Sequence, residues 1–271
     1  MLITMSKTFV FIDGSYFIFY RYYALVQWWK LSHKDEVFTD PINNPEFVEK
    51  FKTTFVSKVK EISKKLKLEN VIMFVGKDCP RDEIWRMKLH PEYKGTRVND
   101  GFEGGPFFKM AYKEKLFEKG GAHMILSHPK LEADDCIAIS AKQTLLTYPE
   151  ETSKVVIIAS DHDYLQLVGP RLSIFSLKYK NLLESKRAYD DGKKNLFCKI
   201  VTGDKSDNIP GIFKRCGVKT AEKYFDDQNL FMDKCKEAKG GDQFELNNTL
   251  VNFNEIPEDL RSEFMMQNWF E

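Results

Sequence analysis

Three short runs of β-branched and aromatic residues, each followed by an aspartate, constrain this chain more than any other feature. They are Thr8-Phe-Val-Phe-Ile12 before Asp13, Val71-Ile-Met-Phe-Val75 before Asp78, and Val155-Val-Ile-Ile-Ala159 before Asp161. Near-continuous apolarity over so few residues fits strands buried on both faces, as in a mostly parallel sheet. Helical patterns lie between them. Phe47 to Leu66 carries Phe51, Phe55, Val59 and Ile62 at helical spacing, Leu131 to Leu146 is a second helix, and Ala111 to Lys119 a third. Strands alternating with helices predict an α/β layer with helices flanking the sheet. A length of 271 residues suffices for one large domain, or one with a small appendage.

In an open α/β sheet the carboxyl ends of parallel strands line one edge, where ligands sit. Asp13, Asp78 and Asp161 are therefore expected to converge. A single aspartate after a strand is ordinarily a turn or capping residue; three together point to a site. Leu131-Glu-Ala-Asp-Asp135 adds acids at the start of an apolar helix, Asp161-His-Asp163 adds a second strand-end acid, and Gly203-Asp-Lys-Ser-Asp-Asn208 adds Asp204 and Asp207. Acids do favour helix N-termini, yet Glu132 and Asp135 are three apart and share a face. So many carboxylates repel one another and raise each other's pKa unless cations are present. Oxygen-only ligands suit magnesium or manganese, whereas zinc would call for histidine or cysteine. Strand alternation turns His162 away from its flanking acids, so it reads as a packed or surface residue.

Other classes are disfavoured. There is no GxSxG, no cysteine beside a plausible histidine, and no GxxxxGK[ST] phosphate loop. No apolar run approaches the roughly 20 residues needed to cross a bilayer, and the first residues lack a signal-peptide pattern. Five cysteines without a CxxC suggest reduced thiols in a cytosol-like compartment, with Cys136 and Cys198 as small core residues. The net charge of +1 does not advertise a nucleic-acid binder. Its distribution is uneven, however: Lys186, Arg187, Lys193, Lys194, Lys199, Lys205, Lys214, Arg215, Lys219 and Lys223 crowd one stretch. That stretch is either a solvated face or a surface for an anionic partner.

The motifs Phe11-Ile-Asp-Gly-Ser15 with Arg21, Pro91-Glu-Tyr-Lys-Gly-Thr-Arg97, Leu131-Glu-Ala-Asp-Asp135, Ala159-Ser-Asp-His-Asp163 and Val201-Thr-Gly-Asp-Lys-Ser-Asp-Asn-Ile-Pro-Gly211 occur in that order. From about Phe9 to Phe225 the chain resembles the 5′-nuclease (flap endonuclease) superfamily. It is similar to stand-alone phage enzymes and to the 5′-3′ exonuclease domain of bacterial DNA polymerase I. The resemblance implies a PIN-like sheet and a structure-specific nuclease acting on branched or 5′-ended duplex DNA, and on RNA–DNA hybrids, by two-metal-ion hydrolysis. It implies that Asp13, Asp78, Glu132 and Asp134 hold a first ion. Asp161, Asp163 and Asp207 would hold a second, with Asp135 and Asp204 nearby or acting through water. Two ions roughly 4 Å apart activate water and stabilise the leaving oxygen. Lys94 would offset charge on the scissile phosphate, and Arg21 and Arg97 would clamp phosphates.

Asp78 departs from the pattern, because Val75 stands where the family places its strand-end acid. Counting back from Trp85-Arg86 and Pro91-Glu-Tyr93 selects Asp78, with Asp82 as the fallback. Residues about 79–121, polar and glycine-containing, would form the family's helical arch over the site. The expected division is a catalytic part, residues 1–198, and a part of residues 199–271 beginning with a helix-hairpin-helix-like unit. There Lys205, Lys214, Arg215 and Lys219 would grip duplex phosphates. Ile212-Phe-Lys-Arg-Cys-Gly-Val-Lys-Thr-Ala221 lacks a glycine of the usual hairpin, which counts against the family's potassium site. In Tyr16-Phe-Ile-Phe-Tyr-Arg-Tyr-Tyr23 most rings should be core, with Phe19 or Tyr20 available to stack on a nucleotide. The terminal Phe264 to Phe270 segment either packs on the body or docks a partner such as a sliding clamp or single-strand-binding protein. A monomer of phage or viral replication is the matching setting. The alternatives are a PIN-type single-strand ribonuclease and a DNA-binding relative without catalysis.

Overall fold

The computed structural model describes residues 6–34, 38–96, 101–186 and 188–268. Its centre is a five-stranded, all-parallel sheet in the order β3-β2-β1-β4-β5. The strands are β1 (Lys7–Asp13), β2 (Val71–Gly76), β3 (Met124–Leu126), β4 (Ser153–Ile158) and β5 (Leu172–Phe175). The three apolar runs form β1, β2 and β4, as their composition requires. β1 buries five consecutive residues, Thr8 to Ile12. Alternation distributes them between two cores. Phe9 and Phe11, with Phe74, Val155 and Ile157, face one layer; Val10 and Ile12, with Met73, Val75, Val156 and Ile158, face the other.

The second layer is built by α1 (Gly14–Ser32), α2 (Pro45–Lys65), α3 (Gly105–Lys113) and α4 (Leu116–Lys119). Phe51, Phe55, Val59 and Ile62 of α2 are all buried, so the predicted helical stripe is the packing face. The helix expected over 111–119 is instead two. α3 starts earlier, at Gly105 with Pro106 in its first turn, and Lys115 breaks the run with a left-handed φ of 55°. The break lets Phe107 and Ala111 on one side and Leu116 and Phe117 on the other all reach the core. The opposite layer is α5 (Ala133–Thr147) and α10 (Glu258–Asn268). α5 is buried nearly all round because sheet and α10 cover opposite sides of it.

Between β5 and α10 the chain forms α6 (Gly192–Thr202), α7 (Val218–Asp226), α8 (Gln228–Ala238) and α9 (Gly241–Val251) around two smaller apolar clusters. The boundary expected between 198 and 199 falls inside α6. The chain also returns to the first core, where Phe253, Ile256, Leu260 and Phe264 are buried. Phe264 thus packs on the body, and Asn268 exchanges hydrogen bonds with the Ser127 backbone at 3.1 and 3.3 Å; Trp269 and Phe270 lie outside the described residues. Cys136 and Cys198 are buried, as expected. Among the described residues no helix is long and apolar enough to cross a membrane.

Candidate active site

β1 and β4 are neighbours whose connections lead to opposite edges of the sheet, and a crevice opens at their carboxyl ends. Asp13 closes β1 and caps α1, accepting from Tyr16 N at 2.9 Å, while the Tyr164 hydroxyl donates to Oδ2 at 3.3 Å. Glycines bring the next acid close. A Cβ on Gly14 would stand 2.5 Å from the Gly76 carbonyl, and one on Gly76 would stand 2.7 Å from that of Ala133. Asp78, two residues past β2, accepts from Ala133 N at 2.8 Å and from Ser15 Oγ. It therefore ties the start of α5 to the start of α1. Asp82 is exposed on a 3-10 turn (Arg81–Glu83), so the crevice acid of this segment is Asp78. Burial, then the charges of Asp78 and Asp161, push Asp13 up to about 7.

Glu132 immediately precedes α5 and is nearly inaccessible. Its Oε2 accepts from Arg86 Nη1 at 3.1 Å and from the Tyr93 hydroxyl at 3.0 Å; its Oε1 accepts from Lys94 Nζ. Asp134 lines the crevice. Burial, then Glu132 and Asp135, hold its carboxyl well above the usual range. Asp135 is different. Its oxygens accept a fork from Arg86 at 2.7 and 2.7 Å, Trp85 Nε1 at 3.0 Å and Glu132 N at 3.2 Å. With these lone pairs engaged and no exposed surface, Asp135 holds Arg86 in place. Burial pulls the Arg86 guanidinium down, but the Asp135, Tyr93 and Glu132 charges and the Asp135 hydrogen bonds together hold it well above its usual value.

The facing group comes from β4 and α6. Asp161 is exposed and accepts from Asp163 N at 3.0 Å. Lys199 of α6 pairs with Asp163 at 2.6 Å and with Asp204. Burial and Asp161 push Asp163 up to about 7 against the pull of Lys199. Burial acts the same way on Asp204, but Lys199 and two Ser206 donors, at 2.6 and 2.7 Å, hold it down at about 2. Gly203 starts this turn at φ +68°, where a Cβ would strike the Ile209 carbonyl. Asp207 is buried, and its Oδ2 lies 3.2 Å from the Tyr93 hydroxyl and 3.8 Å from Lys94 Nζ. Lys94 N donates to the Asp207 carbonyl at 2.9 Å. Tyr93 and Lys94 thus join Asp207 to Glu132.

Each group has three carboxylates whose ligand atoms lie within 4.8 Å of one another: Glu132, Asp134 and Asp135, and Asp163, Asp204 and Asp207. Asp13, Asp78, Glu132, Asp134, Asp161 and Asp204 line one cavity of about 930 Å³, together with Lys94, Lys199 and Phe19. Both groups are braced from behind by the C-terminal end of α9. Arg86 Nε donates to the Leu250 carbonyl at 2.6 Å, and Gln166 Nε2 donates to Val251 and Asp163 carbonyls at 2.9 and 3.0 Å. Phe253 N donates back to Gln166 Oε1 at 2.9 Å.

Of the expected site residues, Asp135, Asp163 and Asp207 are not among those that line the cavity, and neither are Arg21 and Tyr20. Arg21 lies two residues past Phe19, about 200° around α1, over the rings of Phe17 (5.9 Å) and Tyr20 (4.5 Å). Its Nε is buried without a hydrogen-bond partner. Tyr20 stacks edge-on to Tyr16 at 6.0 Å, at the rim. Arg97 lies outside the described residues. Lys205, Lys214 and Arg215 are exposed on the segment joining α6 and α7, and Lys219 is exposed on the first turn of α7; Arg215 itself takes the left-handed φ (60°) that a glycine would favour. Sequence pattern does not mark Arg86, Tyr93 or Lys199 as holding the acids. For Arg86 a signal was present, an arginine enclosed by Ile84, Trp85 and Met87, which implies burial and hence acidic partners.

The chain is 29% identical over 218 residues to a 5′-3′ exonuclease of Buchnera aphidicola, an alignment covering 78% of this chain and 68% of that protein. It is 32% identical over 149 residues to a 5′-3′ exonuclease of Bacillus subtilis, covering 52% of this chain and 47% of that one. In fold it is similar to a bacteriophage T5 flap endonuclease solved with DNA and metal ions. There the TM-score is 0.65 at 18% identity, over 96% of this chain and 97% of that one. Residues 8–195, most of the sheet and its acids, match the family model described as 5′-3′ exonuclease, N-terminal resolvase-like domain, and the chain belongs to that family.

Proposed function

We propose that this protein is a structure-specific 5′-nuclease, with 5′-3′ exonuclease and flap endonuclease activity, that hydrolyses phosphodiester bonds in DNA, and in RNA primers, during replication or repair. One observation carries the reading: two carboxylate groups at one cavity, each with a half-buried lysine. The donor set is oxygen-only, and burial already pushes Asp13 and Asp163 up to about 7, so the residues fit hard divalent cations. Magnesium or manganese is the matching cofactor.

In this reading Asp13, Asp78, Glu132 and Asp134 hold one ion, and Asp161, Asp163 and Asp207, with Asp204, hold a second. Such ions supply positive charge for the phosphate and acidify water. The chain's own groups do the rest. Lys94, fixed between Glu132 and Asp207, presents an ammonium where charge develops on the scissile phosphate. Asp135 is a positioning residue that holds Glu132 through Arg86. Lys205, Lys214, Arg215 and Lys219 take duplex phosphates, with Arg97 as a further clamp. A potassium ion between α6 and α7 would need carbonyls turned inward around Arg215 instead of glycine. The arch, in this view, springs from Tyr93–Lys94 on one side and α3 on the other. Tyr93 on the one side and Phe107 of α3 on the other are buried.

The test is incubation of the purified protein and magnesium with a 5′-flapped DNA duplex and, separately, a structureless RNA. Cleavage at the flap junction with preference for the duplex is expected. No cleavage with either magnesium or manganese would sink the proposal, and a preference for the RNA would move it to the PIN-type ribonucleases. Asp161→Asn with wild-type turnover would show that the site is misplaced.

A further inference from the structure

Beside the turn from β1 into α1 lies an enclosed hydroxyl that packing alone does not explain. Tyr112 stands in the last turn of α3, and its Oη is buried with no hydrogen-bond partner among the described residues. The chain makes room for it next to the first strand-end acid: a Cβ on Gly14, the residue after Asp13, would strike that oxygen. The ring is held on two sides, with Lys77 Nζ 4.9 Å from its centroid and the Phe117 ring 5.8 Å away. Lys77 directly precedes Asp78, so the hydroxyl sits where the paired ends of β1 and β2 meet. Burial, then the charges of Asp78, Asp13 and Glu118, hold the phenol well above its usual value. It therefore stays neutral, able both to donate and to accept. A buried hydroxyl without a partner is costly, and phenylalanine would pack as well.

We infer that Tyr112 is a positioning residue for a divalent cation at Asp13 and Asp78: its hydroxyl shares a hydrogen bond with the carboxylate and water oxygens around that ion. The inference rests on the metal-dependent nuclease reading above and deepens it. The partner follows from the neighbours. Asp13 and Asp78 both line the cavity, and each is already oriented by other donors, Tyr16 N and Tyr164 for the first, Ala133 N and Ser15 for the second. What Tyr112 adds is a contact to the oxygens those two acids gather when a cation enters. Groups just outside a metal's ligands fix their orientation and tune affinity in this way. The consequence reaches α3, proposed above as one side of the arch. Loading the ion fastens α3 through Tyr112, and by the reciprocity of coupled equilibria a fastened α3 tightens the ion.

The experiment compares wild type with Tyr112→Phe, which keeps the ring between Lys77 and Phe117 and removes only the oxygen. Manganese is titrated without nucleic acid, and the free ion is followed by electron paramagnetic resonance. One manganese site is expected to weaken about tenfold in the variant. In EDTA the variant should melt no lower than wild type, because it buries no unpaired hydroxyl. Manganese should slow hydrogen exchange of the α3 amides in wild type, and much less in the variant. Unchanged manganese affinity, or equal protection of α3 in the two proteins, overturns the inference and leaves the nuclease reading standing. A lower melting temperature in EDTA would show that the hydroxyl already serves the fold, through Glu118 for example, and likewise overturns it. Wild-type protein that binds no manganese removes the metal reading and this inference together.

Discussion

The two walls of the cavity solve the same problem, crowded carboxylates, in opposite ways. On the α5 wall, Glu132 and Asp135 are buried against a buried arginine, with Trp85 and Tyr93 saturating the remaining lone pairs. On the α6 wall, Asp161 is exposed, and Asp163 and Asp204 share one flexible lysine on a helix rim. An arginine fork is preorganised and stays charged, whereas an ammonium on a four-carbon stem can swing away. The comparison teaches that the first wall is set when the chain folds and the second is completed by what enters the cavity.

The largest expected effect tests the first wall. Arg86→Met leaves Asp135 buried without a counter-charge and Glu132 with Lys94 alone, and should cost about 3–5 kcal/mol in chemical denaturation. A loss under 1 kcal/mol would show that this wall is not fixed by its ion pair. Next comes the floor between the walls. Asp13→Asn should lower turnover on a flapped duplex about 10²–10³-fold, yet raise the melting temperature in EDTA, because it removes a buried charge facing Asp78 and Asp161. A variant that loses both activity and stability would mean that Asp13 is chiefly a helix cap.

A smaller effect separates the walls directly. Lys199→Met should cost about 1–3 kcal/mol in EDTA, and much of that loss should return on adding magnesium; the melting temperature with and without metal reads it. For Arg86→Met, magnesium should restore little, and equal rescue of the two variants would erase the distinction drawn here. The smallest effect lies at the outer edge of the second wall. Lys214→Ala and Lys219→Ala, both exposed, should each weaken duplex binding modestly and reduce the slope of log affinity against log salt by about 1. An unchanged slope would detach those lysines from the phosphate backbone.

Much of this was legible in the sequence, for reasons that can be named. β1, β2 and β4 declared themselves because strands buried on both faces need unbroken apolar runs. β3 and β5, three and four residues long, gave too little pattern to distinguish from loop. Asp13 and Asp161 were readable as strand-end acids, and Asp78 was placed two residues late by the close approach of Gly76 to Ala133. Arg21, expected as a phosphate clamp from its place in the first motif, lies over Phe17 and Tyr20, because a two-residue step from Phe19 carries it around α1. Asp135 and Asp134 look alike in the sequence. Only the fold reveals that one faces the cavity and the other faces Arg86.

The struts from Leu250, Val251 and Phe253 have a bearing on where this molecule can be cut. A chain ended at residue 195, the limit of the family match, would retain all five strands and most of the acids. It would lack the backbone groups that receive Arg86 and Gln166, so both walls would lose their backing at once. Modularity in the alignment and modularity in the mechanics therefore diverge, and proteolytic nicking near Asn252 should be felt some 170 residues earlier in the chain, at Arg86.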